Sequence, residues 1–121
     1  MPYKFEHLEV WQQALDYVDQ IYAIAAQLPT NENYNLRSQI TRAATSVALN
    51  IAEGSTSQSD REQARFLGMA IRSLVETVAC QHLISRRDYL ADKAALRAAY
   101  QTSATLFARL QAFRRRLRVE G

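Results

Sequence analysis

The sequence predicts an all-α protein, an antiparallel up-down-up-down four-helix bundle, on three observations. Apolar residues recur at three- and four-residue spacing across most of the 121 residues, the period of an amphipathic helix. The chain holds only three glycines and two prolines, and both prolines lie at predicted helix boundaries. No strand-like alternation, internal repeat or low-complexity tract competes with the helical pattern. Short links between long helices force successive helices to run antiparallel.

The first helix is expected over about residues 8–28. One apolar seam runs Leu8, Trp11, Leu15, Val18, Tyr22, Ala25, and a second runs Val10, Ala14, Tyr17, Ile21, Ile24, Leu28. One seam suffices for a bundle core. Two adjacent seams have two readings: deeper burial inside one bundle, or contact with another subunit, since surplus apolar surface marks interfaces. Leu28-Pro29 ends the helix, because the residue before proline disfavours α geometry.

The second helix is expected over 33–53, with Asn31 or Asn33 as N-cap. Its seam is Leu36, Ile40, Ala43, Val47, Ile51, and Ala44 and Ala48 permit close approach. Gly54 reads as the glycine that follows a helix C-cap. Ser55 to Ser59 is a polar turn, and Ser59-Asp60-Arg61-Glu62 reads as a capping box. The third helix then spans 60–87 with the seam Leu67, Ile71, Leu74, Val78. Tyr89-Leu90 forms the next connection. Asp92 opens the fourth helix (92–118), where negative charge suits the dipole. Its seam is Leu96, Ala99, Ser103, Leu106, Leu110, Phe113, Leu117.

A chain of this length is expected to form one domain, large enough to fold without disulfides or a structural metal. Cys80, the only cysteine, sits beside Val78 and Ala79 and reads as a small buried filler, not a nucleophile. No basic-plus-apolar leader is visible, and no uncharged apolar run reaches the roughly 18 residues of a membrane span. The cytoplasm is the expected compartment, with no membrane partner.

The net charge of +3 hides an asymmetry. Residues 1–60 carry three basic groups against seven acidic ones, a net of −4; residues 61–121 carry twelve against five, a net of +7. Thirteen of the fifteen basic residues are arginine, the side chain suited to bidentate contacts with carboxylate or phosphate.

Gln39, Arg42, Ser46, Asn50 and Glu53 share one face of the second helix. Apolar seams flank this stripe, so part of it is expected to be buried. Folding the second and third helices back about the 55–59 turn predicts two ion pairs, Arg42–Glu76 and Glu53–Arg65. Such pairs set helix register or build a ligand site, and the first use is the better attested.

Catalytic signatures are missing. A di-iron bundle wants Glu-x-x-His pairs, and Ala79 stands where His82 would need the glutamate. An Arg-x-x-x-x-His pattern fails as well, with Thr77 and Pro2 in the arginine positions. There is no glycine-rich phosphate loop and nothing singles out a nucleophile. The expectation is a non-enzyme with no cofactor and no metal.

The segment Arg42-Ala43-Ala44-Thr45-Ser46-Val47-Ala48-Leu49-Asn50-Ile51-Ala52-Glu53-Gly54 resembles the "RAA-S---NIAEG" hallmark of the bacterial four-helix bundle family called 23S rRNA intervening-sequence proteins. Phe5, Leu8, Val10-Trp11 and Ala14 match that family's "F--L-VW--A" start, and Leu36, Gln39 and Arg42 its "L--Q--RA" stretch. Phe66-Leu67, Ala70, Ser73-Leu74 and Glu76 look like its "FL--A--S--E" segment, and Tyr89-Leu90 like its turn before the last helix. The resemblance implies a non-enzymatic up-down bundle that assembles into pentameric rings. A more distant similarity is to the accessory variability protein of diversity-generating retroelements, a basic pentamer that engages a reverse transcriptase and nucleic acid.

Two basic groups sit on or beside the fourth helix. Arg109, Arg114, Arg115, Arg116 and Arg118 crowd its last turns, more than dipole complementation at a C-terminus requires. Arg86, Arg87, Lys93 and Arg97 gather around its opposite end. Repeated around a ring, such clusters multiply phosphate attraction and its salt dependence. Tyr89 and Tyr100 are placed to stack on bases, and boundary packing explains them as readily. The expected function is a homo-oligomeric scaffold that binds RNA or DNA; the alternative is an adaptor docking an acidic protein partner such as a polymerase or reverse transcriptase.

Overall fold

The computed structural model describes residues 1–57 and 59–118. Its α-helices are α1 Glu9–Ala25, α2 Leu36–Gly54, α3 Asp60–Arg86 and α4 Ala94–Arg116. A 3-10 turn at Lys4–His7 precedes α1, and another at Thr30–Glu32 links α1 to α2. Each helix packs on its sequence neighbours and α4 returns to α1, which closes an up-down four-helix bundle. The end holding the α1–α2 and α3–α4 connections is called the upper end here. No helix among the described residues is long and apolar enough to cross a membrane.

One hydrophobic core runs through all four helices. The second α1 seam is buried throughout, from Val10 and Ala14 through Tyr17, Ile21 and Ile24 to Leu28. The expected α2 seam is buried as well, as are Leu96, Ala99, Ser103, Leu106 and Leu110 of α4. Helix α3 is rotated from its expected orientation. Ile71 and Val78 are only half-buried, while Ala64, Leu67, Ala70, Leu74, Thr77, Gln81 and Ile84 face inward. The cause is Tyr17, whose hydroxyl lies 2.7 Å from Thr77 Oγ1 and 2.7 Å from Gln81 Nε2. A buried phenol needs polar partners, and these two residues supply them only if α3 turns them toward the core. Cys80 is buried beside them, and desolvation pushes its thiol pKa up.

Several helix boundaries differ from expectation. Helix α1 ends at Ala25, short of Leu28. The chain tightens through i→i+3 bonds, Gln27 N to Ile24 O at 3.0 Å and Leu28 N to Ala25 O at 3.1 Å, and so still delivers Leu28 to the core. Helix α2 begins at Leu36 after Asn35, and neither Asn31 nor Asn33 caps it. The Glu32 carboxylate does so instead, accepting from Leu36 N at 3.3 Å and Asn35 Nδ2 at 3.0 Å. A negative group there suits the helix dipole.

Gly54 is the last residue of α2 with no left-handed backbone, so it is not a post-cap glycine. Its role is steric: a Cβ there would stand 2.9 Å from Phe66 Cβ of α3. The Ser59 half of the expected capping box forms, Oγ accepting from Glu62 N at 3.1 Å, while the Glu62 carboxylate pairs with Arg65 at 3.5 Å. Helix α3 ends with Asp88 in the left-handed region (φ 58°), Asp88 N on Ser85 O at 3.1 Å and Tyr89 N on Ile84 O at 3.5 Å. These are the two bonds of a Schellman stop. Asp92 Oδ1 then accepts from Ala94 N at 2.9 Å and starts α4.

Candidate nucleic-acid interface

The α2 stripe faces α3 along the bundle surface. Arg42 Nη2 meets Glu76 Oε2 at 3.2 Å, the expected pair, with side chains 66% and 40% exposed. Such exposure leaves the pair worth under about 1 kcal/mol. Below it, Ser46 Oγ and Ser73 Oγ lie 2.9 Å apart, and Asn50 Nδ2 donates to Ser46 O at 2.9 Å. The Glu53–Arg65 pair does not form. Arg65 turns to Glu62 and lies over the Phe66 ring at 4.7 Å, a nearer partner on its own helix. Gln39, Arg42 and Glu53 are exposed and only Ser46 and Asn50 are half-buried, so the stripe is shallower than expected. Gln39 Nε2 donates to Asn35 Oδ1 at 2.9 Å.

The arginines at the lower end of α4 and just beyond it are all exposed, and some of them are tethered to neighbouring helices. Arg109 is bound to Glu9 of α1, and Arg114 Nε donates to Ala64 O of α3 at 3.0 Å. The backbone N–H of Arg118 donates to Asp60 Oδ2 at 3.0 Å, which fastens the end of α4 to the start of α3. Arg115 and Arg116 are exposed, and the ion pairs among the described residues engage neither. Arg116 lies 5.9 Å from the Phe113 ring centre.

This lower end also gathers cations that the sequence assigned elsewhere. Arg61 and Arg65, on the first turns of α3, line a depression of about 360 Å³ together with Arg114. In the sequence Arg61 stands in the capping box that opens α3, and Arg65 is expected to pair with Glu53. The signal was present in the topology, since antiparallel α3 and α4 must bring the start of one beside the end of the other. The N-terminus of α3 adds its positive dipole end, and Asp60 and Glu62 offset part of that charge.

At the upper end Arg86, Arg87 and Arg97 are exposed, and Lys93 Nζ lies 3.6 Å from Asp88 Oδ1. The 23 residues of α4 separate the two basic groups by roughly 35 Å at 1.5 Å per residue. The two tyrosines part company here. Tyr89 is half-buried and its hydroxyl donates to Glu32 Oε2 at 2.5 Å. That bond lowers the Glu32 pKa, offset in part by desolvation, and raises that of Tyr89, where desolvation adds to it. Tyr100 is 50% exposed and meets exposed His82 edge-on, ring centres 6.1 Å apart.

The first α1 seam is split: Ala25 is buried and Leu8 packs partly against the core, while the rest reaches toward the surface. Leu15 is 38% and Tyr22 51% exposed, and Trp11 and Val18 are half-buried. Leu49 of α2, 53% exposed, extends the same face, where Tyr22 and Leu49 line one groove. The double seam is therefore not used up inside one bundle.

The sequence model of the 23S rRNA-intervening sequence protein matches residues 6–111. The chain belongs to that family. Among solved structures, a protein of unknown function from the S23 ribosomal protein family of Bacteroides thetaiotaomicron is similar to it at 24% identity. The likeness has a TM-score of 0.77 and covers 86% of this chain and 96% of that one. At that identity it speaks for the fold. No curated protein matches the chain. The family hallmark falls on the α2 face just described, where Arg42 and Ser46 join α2 to Glu76 and Ser73 of α3 and Asn50 donates to Ser46 within α2.

Proposed function

We propose that this protein is a cytoplasmic, non-enzymatic scaffold, a homopentamer, that binds RNA or DNA through the arginines at the lower end of the bundle. One observation carries the reading: α3 and α4 bring Arg61, Arg65 and Arg114 around a single depression beside exposed Arg115 and Arg116. Planar guanidiniums grouped in this way match phosphate oxygens. The upper group, Arg86, Arg87, Lys93 and Arg97, offers a second contact roughly one helix length away. Self-association is supported by the unspent apolar seam of α1 and by kinship with ring-forming proteins, and a ring repeats each cluster on every subunit. The α2 stripe acts in register between α2 and α3 and needs no substrate to explain it.

Binding to structured and single-stranded RNA, measured across a salt series, tests the reading. Affinity is expected to fall steeply with salt. Arg115→Ala with Arg116→Ala should flatten the slope by about 0.7–0.9 for each phosphate that the variant no longer neutralises. Absence of binding at low salt, or an unchanged slope in the double variant, would overturn it. Retention of an acidic protein in nuclease-treated extract, in place of RNA, would favour the adaptor role.

A further inference from the structure

A depression of about 310 Å³ lies in the α3–α4 groove near the upper end, its lining including His82, Lys93, Leu96, Arg97, Tyr100 and Gln101. Its chemistry is divided. Leu96 provides an apolar floor, being 7% exposed, and Tyr100 and His82 set an aromatic edge with ring planes at 80°. Lys93 and Arg97 bring two cations from the first turn of α4, and Gln81 and Gln101 bring amides. No carboxylate among the described residues lines it. Lys93 is held only loosely, 3.6 Å from Asp88 and 3.4 Å from Ser85 O.

We infer that this depression receives one nucleotide, its base against Tyr100 and its phosphate between Lys93 and Arg97. A volume near 300 Å³ suits a ligand of that size. A flat π-face with nearby cations is the recurring platform for an unpaired base, and amides can meet the base edge. Tyr100 is half-exposed and its hydroxyl has no hydrogen-bond partner among the described residues, unlike that of Tyr89, which is taken by Glu32. The strand form of this inference rests on the nucleic-acid reading above, because the nucleotide is then one unit of a bound single strand. A free mononucleotide presents the same chemistry.

Both sources can be tried on the full protein by following its two histidine rings by NMR while adding 5′-AMP, adenosine, or a short single-stranded oligoadenylate. His82 borders the depression and His7 lies beyond the start of α1, so His7 serves as an internal control. Both AMP and the strand are expected to shift the His82 signals and leave those of His7 in place, with adenosine weaker than AMP. Tyr100→Leu should weaken binding by about tenfold with unchanged helix content, and Arg97→Ala should remove the advantage of AMP over adenosine. A strand that binds with His82 unmoved would overturn the inference and leave the arginine reading intact. AMP that moves His82 when no strand binds would uphold the site for a free nucleotide and sink the strand reading. Equal affinity in Tyr100→Leu would also overturn the inference.

Discussion

Tyr17 is fully buried, and its hydroxyl sits in a hydrogen-bond chain that ends on the backbone. Gln81 Nε2 donates to the Tyr17 oxygen, Tyr17 faces Thr77 at 2.7 Å, and Thr77 donates to Leu74 O at 2.5 Å. Each donor has an acceptor, so the polar group is tolerated in the core. Tyr17→Phe would strand the Gln81 amide and is expected to cost about 1–3 kcal/mol in denaturant unfolding. Adding Gln81→Leu should recover part of that loss. Burial pushes the Tyr17 pKa up to about 12, so its contribution to stability holds below its ordinary value of 10 and disappears as pH rises through 12. The apolar periodicity of α3 could not show this rotation, because Thr77 and Gln81 look like surface residues until Tyr17 demands partners.

Between elements, the upper end is fastened by Glu32 and Tyr89, which join the α1–α2 connection to the α3–α4 connection. The folded state holds Glu32 more acidic than usual, chiefly through the Tyr89 hydroxyl. Its stabilising effect is therefore complete above the ordinary carboxylate pKa of 4.5 and fades as pH falls through the lower folded value. Melting temperatures between pH 7 and pH 3 should drop less in Tyr89→Phe than in the parent; equal drops would refute the account. At the other end of α2, Gly54→Ala should destabilise by about 1–3 kcal/mol through overpacking against Phe66, despite the usual helical advantage of alanine. Sequence alone recognised that glycine as a boundary and missed the close approach, which depends on which residue of α3 stands opposite. Glu53–Arg65 failed for a similar reason: spacing brought the two within reach, but Glu62 and Phe66 lay closer to Arg65.

For the whole molecule, helix number, helix order, the core seams of α2 and α4 and the second seam of α1 were readable because three- and four-residue periodicity reports directly on burial. The Arg42–Glu76 pair was readable as well, since a short link fixes the antiparallel register of α2 and α3. The basic lower end was only half visible. Its α4 arginines stand together in the chain, whereas Arg61 and Arg65 join them only through the fold. The exposed face of Leu15, Tyr22 and Leu49 belongs to this scale too, since it is the surface that the proposed assembly would cover. Leu15→Glu with Leu49→Glu is expected to lower the mass seen by light scattering to that of one chain, with helix content unchanged. A parent protein that is already monomeric would remove the ring from the proposal.

The close α2–α3 seam also sets an order of events in time. Its partners are joined by the short 55–59 link, so they meet at little loop-closure cost. The Tyr17 bonds instead span 60 and 64 residues and must wait for α1 to dock on the α2–α3 pair. Stopped-flow refolding should accordingly separate the two substitutions. Gly54→Ala is expected to slow folding, while Tyr17→Phe leaves that rate nearly unchanged and hastens unfolding. A glycine read as punctuation would thus be part of the folding nucleus.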